Sequence, residues 1–265
     1  MRQFRVQVSV FQRIKKDVFL LGFDCPYLVK EALPGQFIHI KVRSPELLLR
    51  RPFSIHKIDK KTVYLLFRIK GKGTLELSRH KIRQTLDIIG PLGRGFTYKG
   101  TLHSSSGMAF LLAGGMGVAP LLFLAQKLNK LQSSNYKLQR LVLLGAKTRN
   151  ELLCQKEFRN LGFKALIATE DGSKGFKGTA TDFLKHILSI QYPVHGTTIY
   201  ACGPEGMFKE LSIMIRRYPQ INCQVSFEQF MGCGIGVCRA CVIKTKLGYK
   251  RVCKDGPVFN IKDVF

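Results

Sequence analysis

Residues 108–131, MAFLLAGGMGVAPLLFLAQKLNKL, decide the fold. The stretch begins with the apolar run MAFLLA, passes through glycines at positions 114, 115 and 117, and has Pro120 ahead of a second apolar run. A short apolar run that ends at glycine is typical of a buried strand, and proline is favoured in the first turn of a helix. The stretch therefore predicts a strand, a glycine turn and a helix, which is the repeating unit of a parallel sheet.

The same region contains no charged residue from Gly107 to Ala125, which is nearly the length that spans a bilayer. Glycines and Pro120 interrupt it at its centre, so a strand, turn and helix explain it better than a membrane helix does. The N-terminal residues MRQFRVQVSV contain no apolar signal core, so the sequence does not support export. We expect a cytoplasmic protein without membrane contact, in which the cysteines are reduced.

Alternating strands and helices continue to about residue 222. The strands QRLVLLG, KALIAT and TTIYACG precede predicted helices at 150–161, 181–188 and 204–217, the first of them with Thr148 and Glu151 at capping-box spacing. Earlier in the chain, short apolar runs separated by turn residues predict an antiparallel barrel or sandwich with one short helix at 73–80. The predicted fold class is α/β plus β, with a β domain at 1–100, a parallel-sheet α/β domain at 101–222 and a small lobe at 223–265.

Four cysteines in the C-terminal lobe follow the spacing C-x4-C-x2-C-x11-C; they are Cys233, Cys238, Cys241 and Cys253. Glycines at 232, 234 and 236 alternate through the first loop, where a missing Cβ lets backbone N–H groups turn toward sulfur. The first three cysteines match the plant-type spacing of a [2Fe–2S] centre, although the fourth follows sooner. A structural zinc ribbon is the alternative, but it normally has a second C-x2-C or a histidine pair, and only one C-x2-C is present.

Lysine and arginine outnumber aspartate and glutamate by 43 to 17, which gives a formal net charge of +26. A basic patch is a common sign of nucleic-acid binding. Here the basic residues are scattered along the chain, and no nucleic-acid motif accompanies them, so we expect a generally basic surface or an acidic protein partner. The six histidines have no carboxylate or nucleophile at a recognisable spacing, so no catalytic side chain is predicted.

The sequence Arg-Pro-Phe-Ser at 51–54 lies on a predicted strand, where an arginine can bind a pyrophosphate through two hydrogen bonds. Phe67 and Arg68 precede a glycine turn with Gly73 and Thr74, whose backbone N–H groups suit a second phosphate. These motifs resemble those of the ferredoxin–NADP reductase superfamily. The resemblance implies an antiparallel β-barrel that binds FAD through Arg51, Pro52, Phe53, Ser54, Phe67, Arg68, Gly73 and Thr74.

Two further turns resemble the nicotinamide-nucleotide site of the same superfamily. The first is the glycine turn with Gly115, Gly117 and Pro120, at a helix start suited to a pyrophosphate. The second is Cys202-Gly203-Pro204, which in that superfamily lies beside the nicotinamide. Thr169, Asp171 and Gly172 follow the third strand of the α/β region, where they either bind the ribose or form a capping turn.

The three regions together resemble the electron transfer subunits of class 1B dihydroorotate dehydrogenases, most specifically in FEQFMGCGIGVCRACVIKT and VCKDGPVF, residues 227–245 and 252–259. The resemblance implies that Cys233, Cys238, Cys241 and Cys253 ligate a [2Fe–2S] cluster. It also implies a separate FMN-containing catalytic subunit that oxidises dihydroorotate in pyrimidine biosynthesis, assembled as two copies of each subunit. Electrons would pass from FMN through the cluster and FAD to NAD⁺.

Two alternatives stay open from the sequence. The chain could be the FAD and iron–sulfur subunit of a related oxidoreductase, such as a ferredoxin:NADP oxidoreductase or a sulfhydrogenase. It could also be a zinc-containing basic module that binds other macromolecules without redox chemistry. The choice between NAD and NADP is not decided by any residue of the sequence.

Overall fold

The structure is a computed structural model that describes residues 1–44, 46–99, 107–131, 139–190 and 196–265, without the side chain of Ile190. Its first part is an antiparallel sheet with two short helices: β1 (Arg2–Arg13), β2 (Val18–Asp24), α1 (Pro26–Glu31), β3 (Phe37–Lys41), β4 (Arg51–Ser54), β5 (Lys57–Asp59), β6 (Thr62–Arg68), α2 (Lys72–Leu77) and β7 (Thr85–Leu92).

The second part alternates strands and helices: β8 (Met108–Gly114), α3 (Val118–Lys130), β9 (Gln139–Ala146), α4 (Gln155–Asn160), β10 (Lys164–Thr169), β11 (Phe176–Lys177), α5 (Ala180–Ile190), β12 (Thr197–Cys202), α6 (Glu205–Arg217) and β13 (Asn222–Ser226). The C-terminal part contains β14 (Val242–Thr245), β15 (Gly248–Arg251), α7 (Val252–Asp255), β16 (Val258–Asn260) and α8 (Ile261–Val264).

The antiparallel sheet has the strand order β4-β3-β7-β1-β2-β6-β5 and is strongly curled. The sheet curves so that β4 approaches β6, since Phe53 on β4 packs edge-on against Phe67 on β6 with ring centroids 5.5 Å apart. The N–H of His56, just before β5, donates to the carbonyl of Tyr64 at 2.8 Å and extends the pairing of β5 with β6. Alternate residues such as Ile38 and Ile40 point into the interior and are fully buried, as expected for strands with one apolar face.

The second sheet has the order β11-β10-β9-β8-β12-β13-β16. The first six strands are parallel, and β16 pairs antiparallel with β13 through the partners Gln224 and Asn260. Buried apolar residues cover both faces of this sheet, as a parallel sheet requires. The predicted antiparallel β unit followed by a parallel α/β unit is confirmed, with the added antiparallel strand β16 as a difference.

Strand β16 was not predicted because its pairing depends on a return of the chain after the cysteine lobe. The N–H of Phe227 donates to the carbonyl of Pro257 at 2.9 Å, which brings the two ends of the lobe together. The lobe is therefore inserted between two neighbouring strands of the parallel-containing sheet. The predicted domain limit at 222 coincides with the first residue of β13, and the limit at 100 lies outside the described residues.

The helix predicted at 150–161 begins later, at Gln155. Thr148 precedes a single 3-10 turn at Arg149–Glu151, and its side chain forms no cap hydrogen bond. Cys154 then adopts a left-handed conformation with φ 59°, which separates this turn from α4. The spacing of a capping box was present, but the chain changes direction before the helix starts.

The uncharged stretch 107–125 forms β8, the glycine turn and the first part of α3. No helix in the described part of the chain is long and apolar enough to cross a membrane.

Candidate functional site

A cavity of about 330 Å³ lies where the curled sheet meets the carboxyl ends of the parallel strands. It brings together three separate predicted motifs, since Arg68, Gly117 and the Gly203-Pro204 turn all line it. Ligands of open α/β sheets bind outside the carboxyl ends of the strands. The remaining lining residues are Lys70, Gly114, Met116, Glu205, Phe208, Phe227, Glu228 and Gln229.

The glycine turn and the Cys202-Gly203-Pro204 turn pack directly on each other. A Cβ at position 117 would overlap the carbonyl oxygen of Cys202 and would lie 2.7 Å from the nitrogen of Gly203. Gly115 has φ +54°, and a Cβ at that position would meet no other atom within 4 Å, so Gly115 faces open space. Position 117 therefore requires glycine, because the main chain of Cys202 and Gly203 lies too close for a side chain. Pro120 is a buried residue in the first turn of α3.

Cys202 ends β12 and is 1% exposed. Burial raises the pKa of its thiol well above the usual value, and Glu228 adds to this effect, while a hydrogen bond with Ser226 opposes it. The side chain is therefore an uncharged thiol at neutral pH. This environment suits a residue that packs beside a ligand and does not suit a thiolate nucleophile.

The predicted FAD residues Arg51 and Gly73 lie in contact. A Cβ at position 73 would come within 2.6 Å of Nε of Arg51, so the glycine makes room for the guanidinium. Arg51 also donates through Nη1 to the carbonyl of Leu49. The hydroxyl oxygen of Thr74 accepts hydrogen bonds from the N–H of Lys70 at 2.8 Å and of Gly71 at 3.1 Å, and so fixes the turn ahead of α2.

The aromatic residues of the FAD motif lie in the interior. Phe53 and Phe67 are 8% and 2% exposed, and both belong to the core of the curled sheet. Their rings pack in this core, and the prediction that Phe53 and Phe67 contact FAD stays a prediction. Nε of Arg68 lies 3.1 Å from a carboxylate oxygen of Asp17, and the same side chain lines the cavity.

The first two cysteines form one pair. The Sγ of Cys233 accepts hydrogen bonds from the N–H groups of Val237 at 3.2 Å and of Ile235 and Cys238 at 3.4 Å, while its own N–H donates to Sγ of Cys238 at 3.3 Å. Burial pushes the pKa of Cys233 upward, but the N–H groups outweigh it and lower the pKa to about 6. The loop is therefore shaped to hold a thiolate.

The other two cysteines form a second pair, since the N–H of Cys253 donates to Sγ of Cys241 at 3.4 Å. Burial raises the pKa of Cys253 to about 12, and Cys241 adds to the effect. Across the part of the chain that the structure describes, no three His, Cys, Asp or Glu side chains converge as they do around a single metal ion. Two pairs of thiols fit a [2Fe–2S] cluster, which has two irons to ligate, better than one tetrahedral zinc ion.

Sequence reasoning missed the residues after β13 that line the cavity, Phe227, Glu228 and Gln229. Glu228 reaches toward Lys70 across the cavity, with the two charged atoms 3.6 Å apart. The sequence could have indicated these three residues, because residues just after a parallel strand lie at the ligand-binding edge of the sheet. This indication was missed because β13 was assigned to the limit between two domains.

The sequence left two roles open for Asp171, a ligand of the ribose or a residue of a capping turn. Its carboxylate accepts hydrogen bonds from the N–H of Ser173 at 2.9 Å and from the Ser173 hydroxyl at 2.6 Å. These bonds lower the pKa of Asp171. The capping turn is therefore formed, and one carboxylate oxygen is already occupied.

The curled antiparallel sheet, the parallel-containing sheet and the cavity between them define a reductase of the ferredoxin–NADP reductase fold. A structure of the NADH-dependent reduced ferredoxin-NADP oxidoreductase superposes with a TM-score of 0.83 at 28% identity, over 98% of this chain and 89% of that chain. A ferredoxin NADP+ reductase from Neisseria gonorrhoeae shares the fold with a TM-score of 0.70 at 13% identity, over 86% of this chain and 100% of that chain.

Sequence comparison narrows this class. Residues 228–265 match the iron–sulfur cluster binding domain of dihydroorotate dehydrogenase B, and residues 111–212 match the oxidoreductase NAD-binding domain. The electron transfer subunit of dihydroorotate dehydrogenase B (NAD(+)) from Desulforamulus reducens is 38% identical, over 97% of this chain and 95% of the relative. The subunit from a Geobacillus species is 37% identical over 100% of this chain and 99% of the relative. The chain belongs to this family of electron transfer subunits.

Proposed function

We propose that this chain is the electron transfer subunit of an NAD⁺-linked dihydroorotate dehydrogenase in pyrimidine biosynthesis, which relays electrons from a catalytic subunit to NAD⁺. One observation carries the proposal: the cavity joins the end of the curled sheet to both nucleotide turns, in a chain that also folds four cysteines into two pairs. When bound, an iron–sulfur cluster carries single electrons and FAD carries two, so that a hydride can be passed to nicotinamide.

The curled sheet is proposed to close as a β-barrel that binds FAD. Arg51 supplies a fixed positive charge for the pyrophosphate, and the turn held by Thr74 presents N–H groups beside it. Pro52 and Ser54 occupy alternate positions on β4, while Phe53 and Phe67 contribute main-chain groups. Arg68 and Gly73 complete the set, with Arg68 facing the cavity.

NAD⁺ is proposed to bind from the opposite side of the cavity. Gly115 faces open space and Gly117 lines the cavity, so their main chain is free to approach a phosphate, and Pro120 lies in the first turn of α3. Gly203 and Pro204 line the cavity beside the proposed nicotinamide position, and the buried thiol of Cys202 behind them adds no charge because it stays protonated. The residues of this side exclude water and orient the nicotinamide ring, with no catalytic side chain required.

The four cysteines are proposed to hold a [2Fe–2S] cluster, with Cys233 and Cys238 on one iron and Cys241 and Cys253 on the other. The pairing of the thiols supports this assignment. The backbone donors on Cys233 stabilise the thiolate that ligation needs and offset part of the negative charge of the cluster. We expect the purified protein to absorb visible light through its flavin and its iron–sulfur cluster, and metal analysis to find two irons per chain. A colourless protein that contains zinc would instead support the zinc-containing module.

The partner is proposed to dock on the face of the cysteine loop. Phe230 is 93% exposed and Val237 is 75% exposed, and both flank Cys233 in the sequence, with Ile235 between them also exposed. Exposed apolar side chains grouped around a redox group mark an interaction surface. The proposed partner is an FMN-containing dihydroorotate dehydrogenase catalytic subunit, assembled with this chain as two plus two in the cytoplasm.

The assay that tests the function uses the chain purified with its catalytic subunit. We expect dihydroorotate-dependent reduction of NAD⁺, and no such activity from either subunit alone. The alternative is the subunit of another NAD(P)H-linked reductase, a ferredoxin:NADP oxidoreductase or a sulfhydrogenase, which the 28% identical ferredoxin-NADP oxidoreductase structure favours. Turnover with reduced ferredoxin and none with dihydroorotate would reject the proposed function in favour of that alternative.

A further inference from the structure

His39 lies on β3 and points away from the interior of the curled sheet. Its neighbours Ile38 and Ile40 belong to that interior, whereas Phe37, two residues before it, packs in the core of the parallel-containing sheet and the cysteine lobe. The rings of Phe37 and His39 meet edge-on at 5.9 Å. His39 is nevertheless 0% exposed, so the cysteine lobe and its surroundings cover it completely.

The ring of His39 lies between the strand proposed to bind the flavin and the loop proposed to hold the cluster. On one side, His39 is directly paired with Pro52 of β4, and paired residues share a face of the sheet. On the other side, Gly234 follows Cys233 with φ +70°, and a Cβ there would lie 2.6 Å from Nδ1 of His39. The loop therefore approaches the ring as closely as a glycine permits.

Neither ring nitrogen of His39 has a hydrogen-bond partner in the described part of the chain, although both are buried. Burial, with Arg50 and Arg51 adding to it, lowers the pKa of His39 to about 4, so the ring is uncharged at neutral pH. A neutral imidazole has one N–H donor and one acceptor nitrogen. A buried polar group without a partner is costly and calls for an explanation.

We propose that the N–H of His39 donates a hydrogen bond to a bound redox group, at a sulfur of the cluster or at a carbonyl oxygen or ring nitrogen of the flavin. The inference rests on the proposed function, because it requires that both groups bind. Such a bond stabilises the more negative, reduced form and raises the reduction potential of the group that accepts it. His39 thereby adjusts one step of the electron path between the two sites.

The test compares reduction potentials in variants of the full chain, each loaded with flavin and cluster. His39→Leu removes the donor and is expected to shift the potential of one group to a more negative value while leaving the other unchanged. Of the amide variants, His39→Asn places a donor near the Nδ1 position and His39→Gln near the Nε2 position. One of them is expected to restore the wild-type potential. His80→Leu is the matched control, because His80 is also buried with an unpartnered Nε2 and lies after α2.

The potentials of the cluster and the flavin are measured separately, by electron paramagnetic resonance and by visible absorption. A shift in the cluster identifies a sulfur as the acceptor, and a shift in the flavin identifies the flavin. Unchanged potentials of both groups in His39→Leu, or an equal shift in His80→Leu, would overturn the inference. A wild-type chain that binds neither group would instead reject the proposed function, so the two failures are distinct.

A measurement on the unmodified chain covers the case in which His39→Leu does not fold. With ¹⁵N-labelled histidine, we expect a hyperfine coupling from one imidazole nitrogen to the paramagnetic state of the group that accepts the bond. His80→Leu is expected to retain this coupling. A loaded wild-type chain without any such coupling to either group would contradict the proposal.

Discussion

Individual residues at the cysteine loop differ in the protonation that the fold imposes on them. Cys233 is held as a thiolate by three backbone donors, whereas Cys253 is kept protonated by burial and by Cys241. Before metal arrives, the loop therefore presents one charged sulfur and one neutral sulfur. This difference predicts which residue reacts first in the metal-free chain.

In metal-free protein we expect Cys233 to be the first of these four cysteines to be alkylated. Its pKa of about 6 means that the thiolate is lost as the pH falls through 6 and is dominant at pH 7. Cys253, with a pKa of about 12, stays a thiol across this range. Peptide mass spectrometry after brief iodoacetamide treatment at pH 5 and pH 7 measures both rates. Buried Cys223, whose pKa is raised, is the internal control; equal labelling of Cys233 and Cys253 at pH 7 would show the donors to be ineffective.

Cys238→Ser separates the two half-reactions of the proposed relay. A serine hydroxyl is a much less acidic and poorer ligand of iron than a thiolate, so we expect electron transfer from the partner to fall by at least the roughly 10–100-fold that loss of an outer-shell partner of a metal site costs. Reduction of the bound flavin by NADH should persist, because its cavity lies outside the cysteine loop. Stopped-flow absorption measures both steps. Cys25→Ser, in the core of the curled sheet, is the control, and equal survival of both half-reactions would contradict the relay.

At the scale of elements, β16 attaches the cysteine lobe to the parallel strands. Phe259 on β16 stacks edge-on against Phe227 at 5.8 Å, and Phe227 in turn packs against Phe208 of α6 at 5.0 Å. Phe227 also lines the cavity. The aromatic contacts thus join the strand that closes the lobe to the wall of the proposed nicotinamide site.

Phe259→Ala is expected to lower the free energy of unfolding by about 2–4 kcal/mol, slightly less than the value for a fully buried phenylalanine because Phe259 is half-buried. Denaturant unfolding followed by circular dichroism measures the change. Leu247→Ala, at a side chain that is 67% exposed, should change the same quantity by less than about 0.5 kcal/mol. If the two variants were equally stable, β16 would not contribute to the attachment.

The sequence was sufficient for elements whose signal is local. The apolar run before Gly114 and the glycine turn predicted β8 and the start of α3, and cysteine spacing predicted a metal lobe. It was insufficient for β16 and for His39, because their roles depend on contacts between segments far apart in the chain. No periodicity in residues 37–41 distinguishes a histidine that faces the cysteine loop from one that faces solvent.

At the scale of the whole molecule, charge and exposed apolar side chains are distributed differently over the chain. The formal charge of +26 is spread along the chain, whereas exposed apolar side chains are grouped at Phe230, Ile235 and Val237 beside the cysteine loop. Charge acts mainly on the rate of encounter, and buried aromatic contacts act mainly on the lifetime of a complex. We therefore expect affinity for the partner to depend on the apolar group.

Phe230→Ala is expected to weaken binding of the catalytic subunit by about 2 kcal/mol or more, as for a central aromatic residue of an interface. Its rate of flavin reduction by NADH should be unchanged. Surface plasmon resonance at two salt concentrations measures affinity and, separately, the contribution of charge to the association rate. Ile213→Ala, at a side chain that is 60% exposed on α6, is the control. Identical affinity of the two variants would place the partner elsewhere.

The antiparallel pairing of β13 with β16 has a mechanical consequence for the lobe between them. Because the chain leaves the sheet at Ser226 and re-enters it at Val258, paired with Ser226 itself, the lobe is anchored at both of its ends on adjacent strands. Attachment at both ends restrains the lobe more than attachment at one end would, and so opposes swinging between a donor and an acceptor. In the proposed relay, this restraint keeps the distance from the cysteines to the cavity nearly constant, and the partner is the component that moves.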